Sequence, residues 1–355
     1  MSKQHMTVLF LYTELADYFL KCCAELSETA NVHIVRWPVN KEAPFRFEIP
    51  ESVRIYDKND HSFEQLQELL FNIKPDVIVC SGWVDKDYLK LVKPYFKEIP
   101  TVLACDTQWK GSARQYLATI LSRFFLLNTF SHGWVPGKSQ ATYLQKLGFK
   151  RNRIKENFYC CDLKKFNTIY DAQRGQKSVG FPKRFLYVGR YYDFKGITDL
   201  WEAFIQLQQE EPNDWELWCL GTGSIAPEEH PRIKHFGFVQ PADLEPILEK
   251  SGVFVLPSRF EPWGVVVQEY AASGFPMLLS TAVGARDTFL EEGANGFSFA
   301  PSNSGALKAQ LKKIIKLPAK DLILMSGKSH ALAQKISPEK WARTLKEIYD
   351  DYGKK

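Results

Sequence analysis

One stretch in the second half of this chain reads VFVLPSRFEPWGVVVQEY over residues 253–270, and it decides the fold that we expect there. Its opening apolar run predicts a buried strand. A helix is expected to begin near Gly264. A helix N-terminus presents unpaired N–H groups and the positive end of the helix dipole. That end suits a bound diphosphate, and a glycine there lets a phosphate approach the backbone closely.

Two glutamates of this stretch are candidate ligand contacts. Glu269 lies four residues after Val265 and therefore shares a helix face with it. Because helical side chains lean toward the N-terminus, Glu269 would point back toward a ligand at the helix start. Its carboxylate can accept both hydrogen bonds of a ribose diol. Glu261 lies in the preceding loop, where it can face a sugar. The spacing alone also fits a simpler interpretation, in which Glu261 caps the helix and Glu269 is solvated.

Short apolar runs alternate with helical stretches along the chain, and such alternation is typical of parallel sheets with helices on both faces. The length of 355 residues favours about two domains. The predicted fold class is therefore α/β, with two Rossmann-like doubly wound domains facing each other across a cleft. The predicted strands are residues 7–12, 32–36, 77–81, 101–104, 133–136, 185–189, 216–220, 233–238, 253–256 and 277–280.

The domain boundaries follow from one polar segment. Residues 167–183 contain two glycines and a proline and interrupt the alternation, so we interpret them as an interdomain linker. This linker would separate a first domain, residues 1–166, from a second domain, residues 184–337. A C-terminal helix at about 338–353 is expected to pack back on the first domain.

A second motif follows the strand predicted at 185–189. Gly189-Arg190 precedes a turn and Lys195-Gly196 follows it. Two cations beside a strand end form a natural diphosphate clamp, because a guanidinium binds phosphate in a bidentate manner and an ammonium acts as a point charge. They would also stabilise a diphosphate leaving group without a metal. Taken alone, such a motif is more often a pair of surface cations on a strand–helix loop.

Glu261 and Glu269 belong to a wider pattern. PSRFEPWG at 257–264 leads to YAASGFP at 270–276, and the pattern continues to EEGANGF at 291–297. This pattern resembles the family-4 retaining glycosyltransferases of the GT-B fold, within the glycosyl transferases group 1. The resemblance covers residues 185–300 well and the first half of the chain only faintly.

The resemblance implies an enzyme that moves a sugar from a nucleotide-diphosphate sugar to an acceptor hydroxyl with retained anomeric configuration, without a metal or another cofactor. The acceptor would be a saccharide or a lipid-linked saccharide, as in the synthesis of cell-surface polysaccharide, lipopolysaccharide or glycolipid. In this family the loop around Gly221 lines the nucleotide site and segment 237–239 holds the base. A tight turn and an ordinary strand end are the alternatives here. The residues implied to bind the donor are Gly189, Arg190, Lys195, Gly221, Phe238, Val239, Glu261, Trp263, Gly264, Val265, Val266 and Glu269.

In the first half, Asp106 follows the strand predicted at 101–104 and would lie at its carboxyl end. Enzymes of the resembled family have a His or Asp about here, near the transferred sugar and the acceptor. Asp106 also fits the N-cap of a helix that starts near Lys110. The residues implied to act in catalysis are Glu261, Asp106, Arg190 and Lys195.

Three other features of the first half bear on function. His132 is a second candidate, for which a structural role is favoured. The loop at 12–16 departs from the glycine-rich loop of many family members, and Glu14 in it would contact the acceptor. Asp85 and Asp87 have the spacing of a metal-binding pair, but they open a helical stretch, so helix capping is the favoured interpretation.

The distribution of charge says more than the net charge of +5, which does not indicate a nucleic-acid partner. Residues 107–155 contain nine Lys or Arg residues and no Asp or Glu. This segment fits a solvated basic face, or a surface that meets an anionic membrane or a phosphate-bearing acceptor. The sequence RFFLL at 123–127 is its most lipid-like patch, but no apolar run reaches the ~20 residues of a membrane helix.

Seven cysteines occur without a C-x-x-C spacing, so neither a zinc site nor a disulfide framework is expected. This usage fits a reducing cytosol, and the N-terminus lacks the form of a signal peptide. We therefore expect a cytoplasmic protein, with peripheral contact at the inner face of the membrane as an open alternative.

Two other functions stay open on the sequence. A sugar-nucleotide epimerase or an inverting transferase of the same fold would need a well-placed base and a different acidic pattern. A non-catalytic nucleotide-sugar-binding protein would keep the fold, but intact Arg190, Lys195, Glu261 and Glu269 argue against a loss of activity.

Overall fold

The computed structural model describes residues 5–38 and 49–352. These residues divide into two compact units. The first runs to Asp162 and resumes at Ile336, and the second spans Leu163–Lys335. Each unit contains one parallel sheet, so the prediction of an α/β chain with two Rossmann-like domains is confirmed.

The first unit is built on a seven-stranded sheet. Its strands are β1 (Met6–Tyr12), β2 (Ala30–Arg36), β3 (Val53–Asp57), β4 (Val77–Ser81), β5 (Thr101–Ala104), β6 (His132–Trp134) and β7 (Ile154–Lys155). They are ordered β3-β2-β1-β4-β5-β6-β7, and neighbouring strands are parallel. The order reverses between β1 and β4, which is the doubly wound pattern. Residues 8–11 of β1 are completely buried, as expected for a strand that is covered on both faces.

Among the described residues of this unit, five α-helices connect the strands, and local signals set their ends. Ser62 and Gln65 form a capping box at the start of the second helix, and Lys74 ends that helix in the left-handed conformation. The helices are α1 (Asp17–Ser27), α2 (Phe63–Ile73), α3 (Lys86–Val92), α4 (Ala113–Phe125) and α5 (Lys138–Lys146).

The second unit repeats the architecture with a six-stranded sheet. Its strands are β8 (Arg184–Val188), β9 (Glu216–Leu220), β10 (Ile233–His235), β11 (Val253–Leu256), β12 (Met277–Ser280) and β13 (Gly296–Phe299). Its helices are α6 (Leu163–Val179), α7 (Ile197–Glu210), α8 (Glu245–Leu248), α9 (Val265–Ala272), α10 (Arg286–Phe289), α11 (Ser304–Ile315) and α12 (Ala319–Ala333). The strands are parallel and ordered β10-β9-β8-β11-β12-β13, so the switch point lies between β8 and β11.

The prediction of a linker at 167–183 is wrong. Most of this segment belongs to α6, which packs against α9 and α12 inside the second unit. Its buried residues Phe166, Ile169 and Gln173 recur every three or four positions, which is the spacing of a helix face. The polar residues between them lie on the solvent side of the helix. Because they outnumber the apolar residues, the composition of the segment does not indicate a helix with a buried face. The boundary between the units therefore lies at Asp162, before the helix.

The last helix, α13 (Pro338–Tyr352), belongs to the first unit rather than to the second. It lies against α1, and its Trp341 is completely buried. The indole Nε1 of Trp341 donates a hydrogen bond to the carbonyl oxygen of Phe158 at 2.6 Å, and its ring lies 4.8 Å from that of Trp134. The chain thus leaves its first unit at residue 162 and returns to it at residue 336.

Candidate functional site

The sequence-predicted donor residues gather at the switch point of the second sheet. Ligands of doubly wound sheets bind beyond the carboxyl ends of the strands, where the strand order reverses. In this unit that place is formed by the loop after β8, residues 189–196, and the loop after β11, residues 257–264. Arg190 and Lys195 lie on the first loop and Glu261 on the second.

The two loops are held together through their backbones. The amides of Arg259 and Phe260 both donate to the carbonyl oxygen of Phe194, at 2.9 and 3.1 Å. Gly196 has a φ of +66°, and a Cβ at this position would lie 2.3 Å from the carbonyl oxygen of Pro257. Only glycine fits such an approach, so the glycine of the Lys195-Gly196 motif sets the spacing between the loops.

A charged cluster that sequence reasoning missed reinforces the same junction. Arg259 binds both carboxylate oxygens of Asp199, in the first turn of α7, at 2.9 and 2.6 Å. Its third bond goes to Asp193 at 2.6 Å. The hydrogen bonds to Asp199 and the charges of both aspartates raise the pKa of the Arg259 guanidinium. Since these partners are 60 and 66 positions away in the sequence, only the strand order could have indicated the cluster.

Lys195 and Glu261 form an ion pair across the two loops. The ammonium Nζ lies 2.5 Å from Oε2 of Glu261, and the two side chains are only 17% and 11% exposed. The backbone of Glu261 is fixed as well, because its amide donates to Ala282 and its carbonyl accepts from Gly284. The backbone amide of Gly284 therefore helps to place the Glu261 carboxylate.

The start of α9 has the form that the sequence predicted. Gly264 occupies the N-cap position with a φ of +91°, so the interpretation of Glu261 as the helix cap is wrong. Of the eight helical residues, Val265, Val266 and Glu269 are half-buried and the other five are buried. Spacings of three and four residues put these three on one side of the helix. Glu269 thus shares its accessible face with the first turn, and it is not simply solvated.

Glycines bring a third and a fourth loop to the same edge of the sheet. The amide of Gly189 donates to Leu220, and the amide of Gly221 donates to the carbonyl of Gly237 at 2.7 Å. Gly221 has a φ of +140°, and a Cβ on it would lie 1.9 Å from the carbonyl oxygen of Gly189. The interpretation of 221–223 as a mere tight turn is therefore incomplete, because Gly221 is required for the contact between adjacent loops.

The remaining predicted donor residues differ in accessibility. Phe238 is exposed and Val239 is half-buried beside Gly237, so both side chains can be reached by a ligand. Arg190 is exposed, and its guanidinium lies 5.4 Å from the ring centre of Tyr192. Trp263 differs, since its side chain is buried and lies edge-on to Phe289. A donor contact by Trp263 would have to come from its backbone.

In the first unit, Asp106 lies among tyrosines just after β5. The hydroxyl of Tyr159 donates to Oδ2 of Asp106 at 3.3 Å, and Tyr18 lies edge-on to Tyr159. Burial, followed by the charge of Asp106, raises the pKa of Tyr159 well above its usual value. The N-cap interpretation of Asp106 is wrong, because Ser112 caps the following helix α4, which begins at Ala113.

Two other candidates of the first unit have structural roles. His132 is completely buried between Ser131 and Arg153, with ring nitrogens 2.9 and 3.0 Å from their side chains. Asp85 accepts hydrogen bonds from the amides of Asp87 and Tyr88, so the capping interpretation of this pair is confirmed. Asp85 also pairs with Lys58 at 2.6 Å.

Neither a metal cluster nor a membrane span was found in residues 5–38 and 49–352. Within these ranges, no three His, Cys, Asp or Glu side chains group as metal ligands would. No helix there is both long and apolar enough to cross a membrane. All seven cysteines are buried free thiols.

Known proteins are similar in sequence to the second unit. Residues 182–317 match the family described as "Glycosyl transferases group 1". Glycogen synthase of Mycobacterium tuberculosis is 30% identical to this chain over 147 residues. That alignment covers 39% of this chain and 35% of the synthase, so the chain matches about a third of the length of this relative.

Solved structures with a similar fold align with nearly all of this chain. The structure of Anabaena HepE in complex with UDP has a TM-score of 0.71 and 16% sequence identity, and the alignment covers 98% of this chain and 100% of that one. The same protein in complex with UDP-glucose has a TM-score of 0.68 at 15% identity, with 99% and 100% coverage. At such identities the likeness establishes the two-sheet GT-B architecture.

Proposed function

We propose that this chain transfers a sugar from a nucleotide-diphosphate sugar to an acceptor hydroxyl with retention of anomeric configuration, and the match of residues 182–317 to the glycosyl transferases group 1 supports this. The observation that carries the proposal is the Lys195–Glu261 pair at the switch point of the second sheet. The ammonium would bind a phosphate and the carboxylate would accept hydrogen bonds from sugar hydroxyls, at the edge where such sheets bind ligands.

The diphosphate would be held by Arg190, Lys195 and the N-terminus of α9. Two cations and a helix dipole offer positive charge to the phosphates in the ground state and to the leaving group as its charge develops. A metal is therefore not required in the proposed reaction. Lys195 can serve a phosphate only by sharing or leaving the Glu261 carboxylate. Donor binding would thus free Glu261 to accept hydrogen bonds from the sugar.

The nucleoside would lie along α9 and the loop after β10. Glu269 can accept hydrogen bonds from the ribose diol. Phe238 and Val239 lie in the loop after β10, and a base can pack against their accessible side chains. UDP and its sugars are the first ligands to test, since the HepE structures contain UDP and UDP-glucose.

The acceptor, a saccharide or a lipid-linked saccharide, would bind to the first unit with Asp106 near its reacting hydroxyl. In the proposed step the acceptor oxygen forms a bond to the anomeric carbon, while the bond between that carbon and the phosphate oxygen breaks. Attack comes from the face that the phosphate leaves, and the acceptor proton passes to the leaving phosphate oxygen. The role would place the protein in the cytoplasm, in the synthesis of a cell-surface polysaccharide, lipopolysaccharide or glycolipid.

A ligand screen followed by turnover tests the proposal. Melting temperatures would be measured with UDP, GDP and ADP sugars, because a ligand that binds only the folded state raises the melting temperature. The stabilising donor would then enter a nucleotide-release assay with and without EDTA, and NMR of the product would give its anomeric configuration. Retention and insensitivity to EDTA are expected.

Matched variants separate the candidate site from general effects. Lys195→Ala should lower turnover by about 100-fold, the usual cost of removing a group that stabilises transition-state charge. Lys183→Ala serves as the control, because Lys183 forms an exposed ion pair with Asp214 in the same unit. Equal turnover in wild type and Lys195→Ala would refute the site.

Two outcomes would replace the proposal with another function. Binding of a nucleotide sugar without release of nucleotide, over a range of saccharide acceptors, would indicate a non-catalytic binding protein. Conversion of one sugar nucleotide into another without an acceptor would indicate an epimerase. An inverted product would refute retention while leaving the donor site intact.

A further inference from the structure

The outward face of α4 is the most apolar exposed helix surface in the described part of the chain. Its large side chains are 50–75% exposed, although they belong to residue types that usually pack inside. No other helix among the described residues exposes more than one such side chain to this degree. The residues of this face are Tyr116, Leu117, Ile120, Leu121 and Phe124.

The inward face of the same helix is mostly polar. Its buried residues are Gln115 and Ser122. Gln115 donates to the carbonyl of Gln108 at 2.6 Å and accepts from the amide of Lys110 at 2.7 Å. Ser122 donates to the carbonyl of Leu147 at 3.0 Å. Helix α4 is therefore attached to its unit by these hydrogen bonds and by the partly buried Ala118, and it turns its large apolar side chains to the solvent. This is the reverse of an ordinary surface helix.

The apolar face has cations along both edges. At about 100° per residue, the five apolar side chains cover an arc of about 140°. Arg123 lies about 20° beyond one edge of this arc and Arg114 about 20° beyond the other. The surrounding segment, residues 107–155, contains seven further Lys or Arg residues and no Asp or Glu. A flat apolar stripe between two cationic edges is complementary to lipid tails below anionic headgroups.

We propose that α4 is a membrane-docking helix that lies in the plane of an anionic lipid surface. Tyr116, Leu117, Ile120, Leu121 and Phe124 would enter the boundary between headgroups and acyl chains, while Arg114 and Arg123 bind lipid phosphates. The helix is 13 residues long, so it lies on the membrane rather than across it. The proposal goes beyond the transfer reaction and does not depend on the donor or acceptor chosen there.

Co-sedimentation of the full chain with vesicles tests the proposal. Two vesicle preparations would be used, phosphatidylcholine alone and phosphatidylcholine with phosphatidylglycerol. Wild-type protein should bind the second and bind the first much more weakly. Phe124→Ser and Ile120→Ser should each lower the partition coefficient about tenfold or more, because each removes one large apolar group that would be buried in the lipid. The double variant Arg114→Gln, Arg123→Gln should bind both preparations equally weakly.

Exposed apolar residues elsewhere provide matched controls. Phe71 on α2 and Leu324 on α12 are 71% and 72% exposed, close to the value for Phe124, but each is the only large apolar side chain on its helix that is at least half exposed, so neither forms a stripe. Phe71→Ser and Leu324→Ser should bind vesicles as wild type does. Circular dichroism and the melting temperature would show that every variant is folded.

Three results would overturn the proposal. The first is wild-type protein that stays in the supernatant with both preparations. The second is Phe124→Ser protein that sediments as wild type does. The third combines two measurements. If wild-type protein is a dimer in analytical ultracentrifugation without lipid, and if Phe124→Ser is a monomer that binds vesicles as wild type does, the apolar face binds a second copy of the chain. Release of nucleotide from a water-soluble donor should be the same in wild type and Phe124→Ser, so a failure here is distinguishable from a failure of the transfer reaction.

Discussion

Lys195 Nζ lies 2.5 Å from Oε2 of Glu261, although 66 positions separate the two residues in the sequence. One side chain follows β8 and the other follows β11, the two strands between which the order of the second sheet reverses. Without a donor, each charge therefore compensates the other in a site that is largely shielded from water. A phosphate that reached Lys195 would replace an existing partner, so we expect donor affinity to depend on both side chains.

The pair predicts a specific pattern of stability in the ligand-free protein. Lys195→Met leaves the shielded Glu261 carboxylate without its cation and should lower the free energy of unfolding by about 2 kcal/mol. The double variant Lys195→Met, Glu261→Gln should recover most of this loss, because no unpaired charge remains. Urea unfolding of the four proteins in the mutant cycle measures the coupling.

The exposed pair between Lys183 and Asp214 is the control for this cycle, with side chains that are 57% and 63% exposed. Its coupling should stay below about 1 kcal/mol, as is usual for surface ion pairs. If the two cycles give equal coupling, shielding by the two loops does not strengthen the Lys195–Glu261 pair.

Glu269 should recognise the ribose diol. Glu269→Gln is expected to weaken binding of UDP about tenfold or more, since a hydrogen bond to a charged group contributes about 1.5–3 kcal/mol. Binding of 3′-deoxy-UDP, which lacks one hydroxyl of the diol, should change less. Calorimetric titration of both ligands into both proteins measures the difference. An equal loss for the two ligands would show that Glu269 acts elsewhere in the site.

Asp106 should affect transfer without affecting the donor. In Asp106→Asn, the Kd for UDP should equal that of the wild type, whereas kcat with an acceptor should fall about tenfold or more, the scale of a positioned polar group. Tyr159→Phe is the companion variant, because it removes the hydroxyl that donates to Asp106 and keeps the ring. A changed Kd for UDP in Asp106→Asn would contradict an acceptor-side role.

Local patterns in the sequence indicated the alternation of strands and helices and most of the donor loops. They did not indicate β3, where Val53–Asp57 lies at a sheet edge and only Val53 is buried. Patterns of hydrophobicity find strands with a buried face more easily than half-exposed edge strands. The cluster of Arg259 with Asp193 and Asp199 was also missed, since a contact between two loops depends on the strand order and not on local spacing.

The apolar face of α4 was only partly predictable. RFFLL at 123–127 was identified as lipid-like from its composition, but Leu126 in it is buried. The exposed stripe instead runs from Tyr116 to Phe124. The stripe faces outward because Gln115 and Ser122, on the opposite side of the helix, form hydrogen bonds with neighbouring segments. The periodicity of the helix does not predict these bonds.

Helix α6 was mistaken for a linker because of its glycine and its polar residues, and Gly175 provides a direct test of the difference. A Cβ at Gly175 would meet no atom within 4 Å, and the residue lies inside the helix. Gly175→Ala should therefore raise the free energy of unfolding by about 0.5–1 kcal/mol, the helix preference for alanine. Gly180→Ala, just beyond the helix, should have a smaller effect. No gain at Gly175 would favour a non-helical segment.

Lys177 predicts an unusual pH dependence of stability. Its side chain is buried on α6, and Nζ lies 3.9 Å from the ring centre of Phe275. Burial lowers the pKa of Lys177 to about 7 in the folded protein, whereas an unfolded lysine has a pKa of about 10.4. Between these values the unfolded chain binds a proton that the folded protein does not, so this group makes stability rise as the pH rises. Below about pH 7 its destabilising effect is fully present.

Lys177→Met should remove this contribution while filling the same space. Near pH 7 the variant should be more stable than wild type by about 4 kcal/mol, and the advantage should shrink by about 1 kcal/mol per pH unit toward pH 10. Urea unfolding at several pH values measures the free energy of unfolding of both proteins. Other titrating groups contribute equally to the two values, so the difference between them reports Lys177 alone. Lys164→Met, at an exposed position of the same helix, is the control, and its free energy of unfolding should depend on pH as that of the wild type does. If the free energy of unfolding of Lys177→Met also depends on pH as that of the wild type does, Lys177 keeps the pKa of an ordinary lysine in the folded protein.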